Sequence, residues 1–349
     1  AIEMAKAAEA APDGATIYVM SDVEMNQMAW VWEKELTITS YGVDPVTLSR
    51  GENFHTNADP ARQRYNPAMI EVGGETEQGT VSSLILTHII LDDMGKYEGE
   101  YFVQADSEGD GETTVSRSEV PNTSIVQDAI IATYNGMDTA VAVINGFSFG
   151  MGTITLGDGA ELRNYGGMSA VRLSGGELIM EEGSAILDTT ENEREKGASG
   201  SFGPAGAVWL QGGILTMNGG TIGGDKGVMM NGRALYADGG TANIGGTIQN
   251  IHGTDAAWQG QNGVAVHLRS HGEATLASTG EITNVTGTNA GNNCAIWTQF
   301  CNFTTKAGSK ISHVDGFQLL YFDDLDNNNY SHEVYLNGTI SECASGSAS

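Results

Sequence analysis

Cationic side chains are scarce in this chain. Sixteen lysines and arginines stand against 44 aspartates and glutamates in 349 residues, giving a formal net charge of -28. Such a charge disfavours nucleic acid and anionic membranes as partners, because both repel it. Cysteine is rarer still. Cys294, Cys301 and Cys343 are too few and too irregular for a disulfide framework or a zinc centre. Cys294 and Cys301 either pair, if the fold brings them close, or stay as buried thiols. No apolar run approaches the ~20 residues that span a bilayer, so membrane insertion is not expected. The chain opens without Met and shows no signal peptide or anchor motif, and it is expected to be a piece of something longer, its remainder lying in the same chain. Proline, at 6 residues, is also scarce.

Glycine, at 48 residues, is abundant, and the apolar fraction is 40%. That much apolar content excludes wholesale disorder. Glycine spread along the whole chain fits many tight turns between short strands.

The stretch "GAVWLQGGILTMNGGTIGG" (206–224) holds three strand-like bursts with glycines between them. Its first burst recurs as "AVRL" from Ala170, "ALYA" from Ala234, "AVHL" from Ala265 and "AIWT" from Ala295, with a looser "QLLY" from Gln318. With Ala207 included, the copies begin 37, 27, 31 and 30 residues apart. The second burst recurs as "ELIM", "TANI" and "EATL", and the third contributes Ile186, Ile222, Ile248, Ile282, Ile311 and Ile340. Self-similarity at this period signals a solenoid. Each coil has three short strands that pair in parallel with the coils above and below, about 4.8 Å away.

Strand alternation then assigns faces. Val171, Val208, Leu235, Val266, Ile296 and Leu319 are expected to stack inward, with Leu178, Met180, Leu215, Met217, Ile244 and Leu276 from the second strands. Ala207 and Trp209 fall on the opposite side. The outward position of the first strand reads Arg172, Trp209, Tyr236, His267, Trp297 and Leu320, a column of rings on successive rungs. Upstream, "TAVAVING", "GTITLGDGAEL", "VSSLILTHIILDDM" and "AWVWEKELTITS" read as earlier, drifted coils, whereas 47–62 interrupts the pattern and reads as a loop. Residues 1–14 form an Ala-rich helix and a Pro-Asp-Gly turn that cap the first coil. The expected organisation is this cap, one β-helix over 15–345, and a tail at 346–349.

A capping helix of the "AIEMAKAAEAAPDGATIYV" type followed by coils of the "GGILTMNGGTI" type resembles right-handed parallel β-helix proteins of the pectin-lyase-like superfamily. It is closer to the glycine-rich β-helix regions of bacterial surface proteins. The resemblance covers nearly the whole chain and implies an all-β, right-handed parallel β-helix. For function it leaves adhesins, polysaccharide lyases, glycoside hydrolases and passive stalks open. The hydrolases' series of Asn-x-Asp, Asp-Asp, Gly-His-Gly and Arg-x-Lys motifs is not found, and on the ring column Arg172 stands without the partner lysine or adjacent acid triplet that the lyases' calcium chemistry would want.

The insertions at 189–205, 223–233, 252–263 and 286–293 follow third strands and are expected to wall one side of the column, supplying acids, amides and Trp258. Planar rings with polar edges suit the faces of sugars or the anchor residues of a protein partner. Arg172, Trp209, Tyr236, Trp258, His267 and Trp297 are thus the candidate ligand-binding residues, for a glycan or a host surface protein in an extracellular, bacterial setting. Equally open is a packing role, with the inserts folded down over the rings. Two acidic loops resemble calcium sites. Asp106–Glu112 is followed by Arg117 where an EF-hand needs Glu, and the run Asp324, Asp326, Asn328 ends at Tyr335. Both fail as EF-hands, and the second is the better candidate for a looser calcium site.

Overall fold

Strand edges must find partners, and in this chain they find them one coil away. The computed structural model describes residues 2–55, 68–76, 82–94, 101–105, 112–116, 129–133, 148–165, 169–173, 175–188, 206–224, 230–231, 233–253, 264–287, 294–315, 318–322 and 333–343. Three long sheets wind through them as the sides of a parallel β-helix. The first-strand sheet runs from Ala29–Val31 to Gln318–Phe322, the second from Ala15–Val19 to Glu333–Tyr335, and the third from Val23–Gln27 to Thr339–Ser341. Among the described strands, antiparallel pairing is confined to Tyr101–Ala105 with Glu112–Ser116, and to Ser148–Met151 against Ile70–Thr76.

The coil register is the one the repeat implies. Leu178, Leu215, Ala242, Ala274 and Phe303 stack in one inward row of the second sheet. The six isoleucines of the third strand, from Ile186 to Ile340, form another unbroken row. Most of these side chains are fully shielded from water, and each large aliphatic one contributes about 1.5–3 kcal/mol of burial. "AWVWEKELTITS", "VSSLILTHIILDDM" and "GTITLGDGAEL" all supply strands of coils, while "TAVAVING" lies outside the described residues. The 47–62 reading needs correction. Val46–His55 is a third strand, paired with Ile89–Asp92, and 56–62 lies outside the described residues.

The corners show why glycine and asparagine are common. Gly176 and Gly240, at equivalent turns between first and second strands, have φ of +76° and +80°, and a Cβ would sit 2.1 and 2.4 Å from carbonyl oxygens of the preceding coil. No other residue fits there. Where the third strand turns toward the next first strand, Asn164, Asn250 and Asn284 adopt φ of 52°, 55° and 54°, a left-handed conformation that asparagine tolerates. Asn284 donates from Nδ2 to Asn250 Oδ1 at 2.6 Å, and Asn250 donates to the Gly224 carbonyl at 3.2 Å.

Helix Ile2–Ala10 closes the N-terminal end. Met4, Ala5 and Ala8, one face at helical spacing, are buried. Lys34 Nζ donates to the carbonyls of Ala8, Glu9 and Ala11, each at 2.9 Å, placing a cation on the unsatisfied carbonyls of the helix C-terminus. All three cysteines are free thiols, with Cys294 and Cys301 buried. Burial pushes the Cys294 thiol up and takes Cys301 to about 11.

Candidate binding face

The outer column of the first sheet is continuous. Pairing sets Arg172 beside Trp209, Trp209 beside Tyr236, Tyr236 beside His267 and His267 beside Trp297. The next member is Tyr321, because Trp297 pairs with Tyr321 and Ile296 with Leu320. The assignment of Leu320 to the column is therefore one residue out of phase, and Leu320, not Leu319, is the inward partner of Ile296. Upstream the column extends through Ala132 and Glu71 to Trp30.

A second correction concerns the residue that opens each copy. Ala170, Ala207, Ala234, Ala265 and Ala295 pack in the main core together with the Val, Leu or Ile that follows, not on the side of Trp209. Two successive inward residues break strict alternation. The small alanine side chain lets the strand turn into the core there, and the residue before it swings outward. Arg233 and Cys294 reach the ring side in this way, and an alternation rule applied through the alanine misses both. Cys294 packs with Val264 and Trp297.

The rings touch in sequence. Trp209 and Tyr236 have centroids 6.4 Å apart, Tyr236 and His267 5.0 Å edge-on, His267 and Trp297 4.2 Å in a parallel stack, and Trp297 and Tyr321 5.2 Å edge-on. The Arg233 guanidinium lies 5.0 Å from the Tyr236 ring centre and 5.8 Å from that of Trp297, within cation–π range. Arg269 donates from Nη1 to Tyr236 Oη at 2.9 Å.

These side chains are shielded from solvent, with Trp209 at 7% exposure, Tyr236 at 8%, His267 at 3% and Trp297 at 4%. Arg172, expected at the surface, is buried as well. Burial pulls the Arg233 guanidinium down to about 10, with Tyr236 opposing and Arg269 adding to the shift. Burial, then Arg233, then Arg269 hold the His267 imidazole well below the usual histidine range. His267 is therefore uncharged at neutral pH.

Buried polar groups are normally paired, yet several on this face are not. Among the described residues, Trp209 Nε1, Trp297 Nε1, both ring nitrogens of His267 and the Ser169 hydroxyl have no hydrogen-bond partner. The contrast lies within the same column, where Trp30 Nε1 donates to the Gly73 carbonyl at 2.7 Å. An uncharged imidazole offers one donor and one acceptor, and each indole a donor only. The face thus presents a donor-rich row of ring edges set among apolar ring surfaces and arginines.

Trp258, the greater part of the four insertions, the Asp106 loop, and Asp324, Asp326 and Asn328 lie outside the described residues. Among the described residues no group of three or more His, Cys, Asp or Glu side chains could hold a metal ion, and no helix is long and apolar enough to cross a membrane.

No protein-family model matches the chain, and no curated protein matches it in sequence. Among solved structures it is similar to the Streptococcus pneumoniae surface protein and adhesin PfbA, at 9% identity over 98% of this chain and 92% of that one, with a TM-score of 0.28. At that score the likeness supports no argument about function, and the β-helical fold rests on the strand pairings themselves.

Proposed function

We propose that this chain is a binding module of the adhesin type, displayed on or released from a bacterial surface, that takes a glycan or a partner's surface protein on its first-strand face. It acts as one β-helical unit, 15–345, behind its cap. The observation that supports this reading is the set of unpartnered nitrogens on Trp209, His267 and Trp297. A buried donor without an acceptor costs about 1–3 kcal/mol, and a ligand bearing hydroxyl or carbonyl oxygens would relieve that cost once the face, shielded in the free chain, opens to admit it. Sugar rings suit the mixture of apolar ring face and polar ring edge. The test is binding of the chain to an immobilised panel of glycans and host surface proteins, repeated with a Trp209→Phe, Trp297→Phe double variant. Phe keeps an aromatic ring and deletes the N–H. Wild-type capture that the double variant loses is the expected result. Equal capture by both would remove this face from recognition.

The low exposure of the same rings favours a second reading, a passive stalk in which the column is only a satellite core. It predicts that no member of the panel binds and that the double variant changes stability alone. An enzymatic reading has less behind it. Among the column residues from Trp30 to Tyr321 the sole carboxylate is Glu71, and a glycosidase of the common kind needs two.

A further inference from the structure

Charge is distributed unevenly around the coil. In the five coils from Ser169–Leu173 to Cys294–Thr298, the first strands carry Arg172, Arg233 and Arg269 against one acid, Asp238. The second strands of the same coils carry Glu177 and Glu273 and no cation. Three of the five described arginines thus gather on one side of a chain whose net charge is -28. The other two are engaged elsewhere, Arg50 with Asp93 and Arg163 with Glu161.

Two of the three converge on one ring. The Arg233 guanidinium lies over the face of Tyr236, 5.0 Å from its centre, and Arg269 Nη1 donates to the Tyr236 hydroxyl at 2.9 Å. Arg233 is buried, whereas Arg269 is exposed and stands at the rim. His267 stacks on Trp297 beside them, and its ring nitrogens and the Trp297 N–H have no partner among the described residues. Arg233 and Arg269 both press the His267 pKa down. The local field therefore opposes a further positive charge and favours a negative one, against the sign of the whole chain.

We propose that the first-strand face takes a sulfated glycan, with a sulfate group held by Arg233 and Arg269 at Tyr236 and the sugar rings lying along the column. This rests on the reading of the face as a binding site and names the class of its ligand. Guanidinium, indole and imidazole N–H groups together ask for an acceptor-rich anion. A carboxylate is planar and is satisfied by a single guanidinium fork. Here the donors come from different coils and from more than one side of a ring, which suits a tetrahedral group with oxygens on several sides. The net charge sharpens the case. A chain this acidic repels polyanions at long range, so uptake of one reports a local site.

Titration calorimetry at about 0.15 M salt, where the screening length is about 8 Å, tests this with the whole chain. The probes are a heparin-derived tetrasaccharide, the same tetrasaccharide stripped of sulfate but keeping its carboxylates, and neutral maltotetraose. The sulfated probe should bind, and the stripped one about tenfold or more weaker. Arg269→Gln and Arg233→Gln should each weaken the sulfated probe about tenfold, while Arg163→Gln, on the third sheet, leaves it unchanged. Arg269 is exposed, so circular dichroism of its variant should match the wild type. Absence of binding by the sulfated probe overturns the proposal, as does equal binding of the stripped one. So does binding that both arginine variants leave intact, or preference for an oligoglutamate peptide, which would assign the face to an acidic protein. Capture of maltotetraose that the Trp209→Phe, Trp297→Phe double variant abolishes and the arginine variants spare would overturn this inference and leave the reading of the face standing.

Discussion

The second-strand and first-strand sheets share one coil and one register, yet they obey different rules. On the second sheet burial alternates, as in Thr153–Leu156 and Glu177–Met180, where every other residue is partly open. On the first sheet Ser169–Leu173, Val208–Leu210 and Cys294–Thr298 are buried at every position. A sheet with water on one side writes its burial as an alternating pattern, while a sheet dry on both sides does not. The difference teaches that the solenoid is asymmetric by construction. The second side is a wall with water outside it, and the first, in these strands, is a floor shielded on both faces.

The largest expected effects test whether the outer column of the first sheet is as dry as the core. Trp297→Ala should destabilise by about 3–5 kcal/mol, the range for a buried aromatic, and Leu215→Ala in the core by about 2–5 kcal/mol. Thr304→Ala on the outer side of the second sheet should stay within about 0.5 kcal/mol. Urea denaturation of the three variants makes the comparison. If Trp297→Ala behaves like Thr304→Ala, the two sheets are not different in kind.

A middle-sized effect sharpens the same contrast through pH. The folded state holds the His267 pKa below its unfolded value, near 6.5. Below that value the unfolded chain binds the proton and the folded chain does not, so stability is intact above about pH 6.5 and falls as the solution is acidified. A His267→Phe variant should lose this part of the slope when thermal midpoints are followed from neutral to mildly acidic pH. An unchanged slope would mean that His267 meets solvent. The smallest effect belongs to the corner ladder. Asn284→Ala removes the bond to Asn250 at a position of positive φ and should cost about 1 kcal/mol, read from the same urea curves.

Much of this architecture was legible in the residues. The isoleucine of each third strand and the aliphatic pair of each second strand announce themselves because one side of those sheets is wet, so polarity alternates with burial. The ring column was legible from Arg172 to Trp297 for the same reason of repetition. Its continuation was not. In "GFQLLYF" two leucines in succession offer no contrast to fix the phase between Leu320 and Tyr321. Arg233 and Cys294 were hidden by the inward step at the alanine that follows each of them, a bend that no strand periodicity contains.

The most direct measurement is acrylamide quenching of tryptophan fluorescence in a chain carrying Trp30→Phe, Trp32→Phe and Trp258→Phe, which leaves Trp209 and Trp297 to report. The account predicts strong protection of both, at a level set against the quenching that the partly exposed Trp32 contributes in the wild type. Efficient quenching would contradict it. The outer column would then be an open surface, and the distinction between floor and wall would fall.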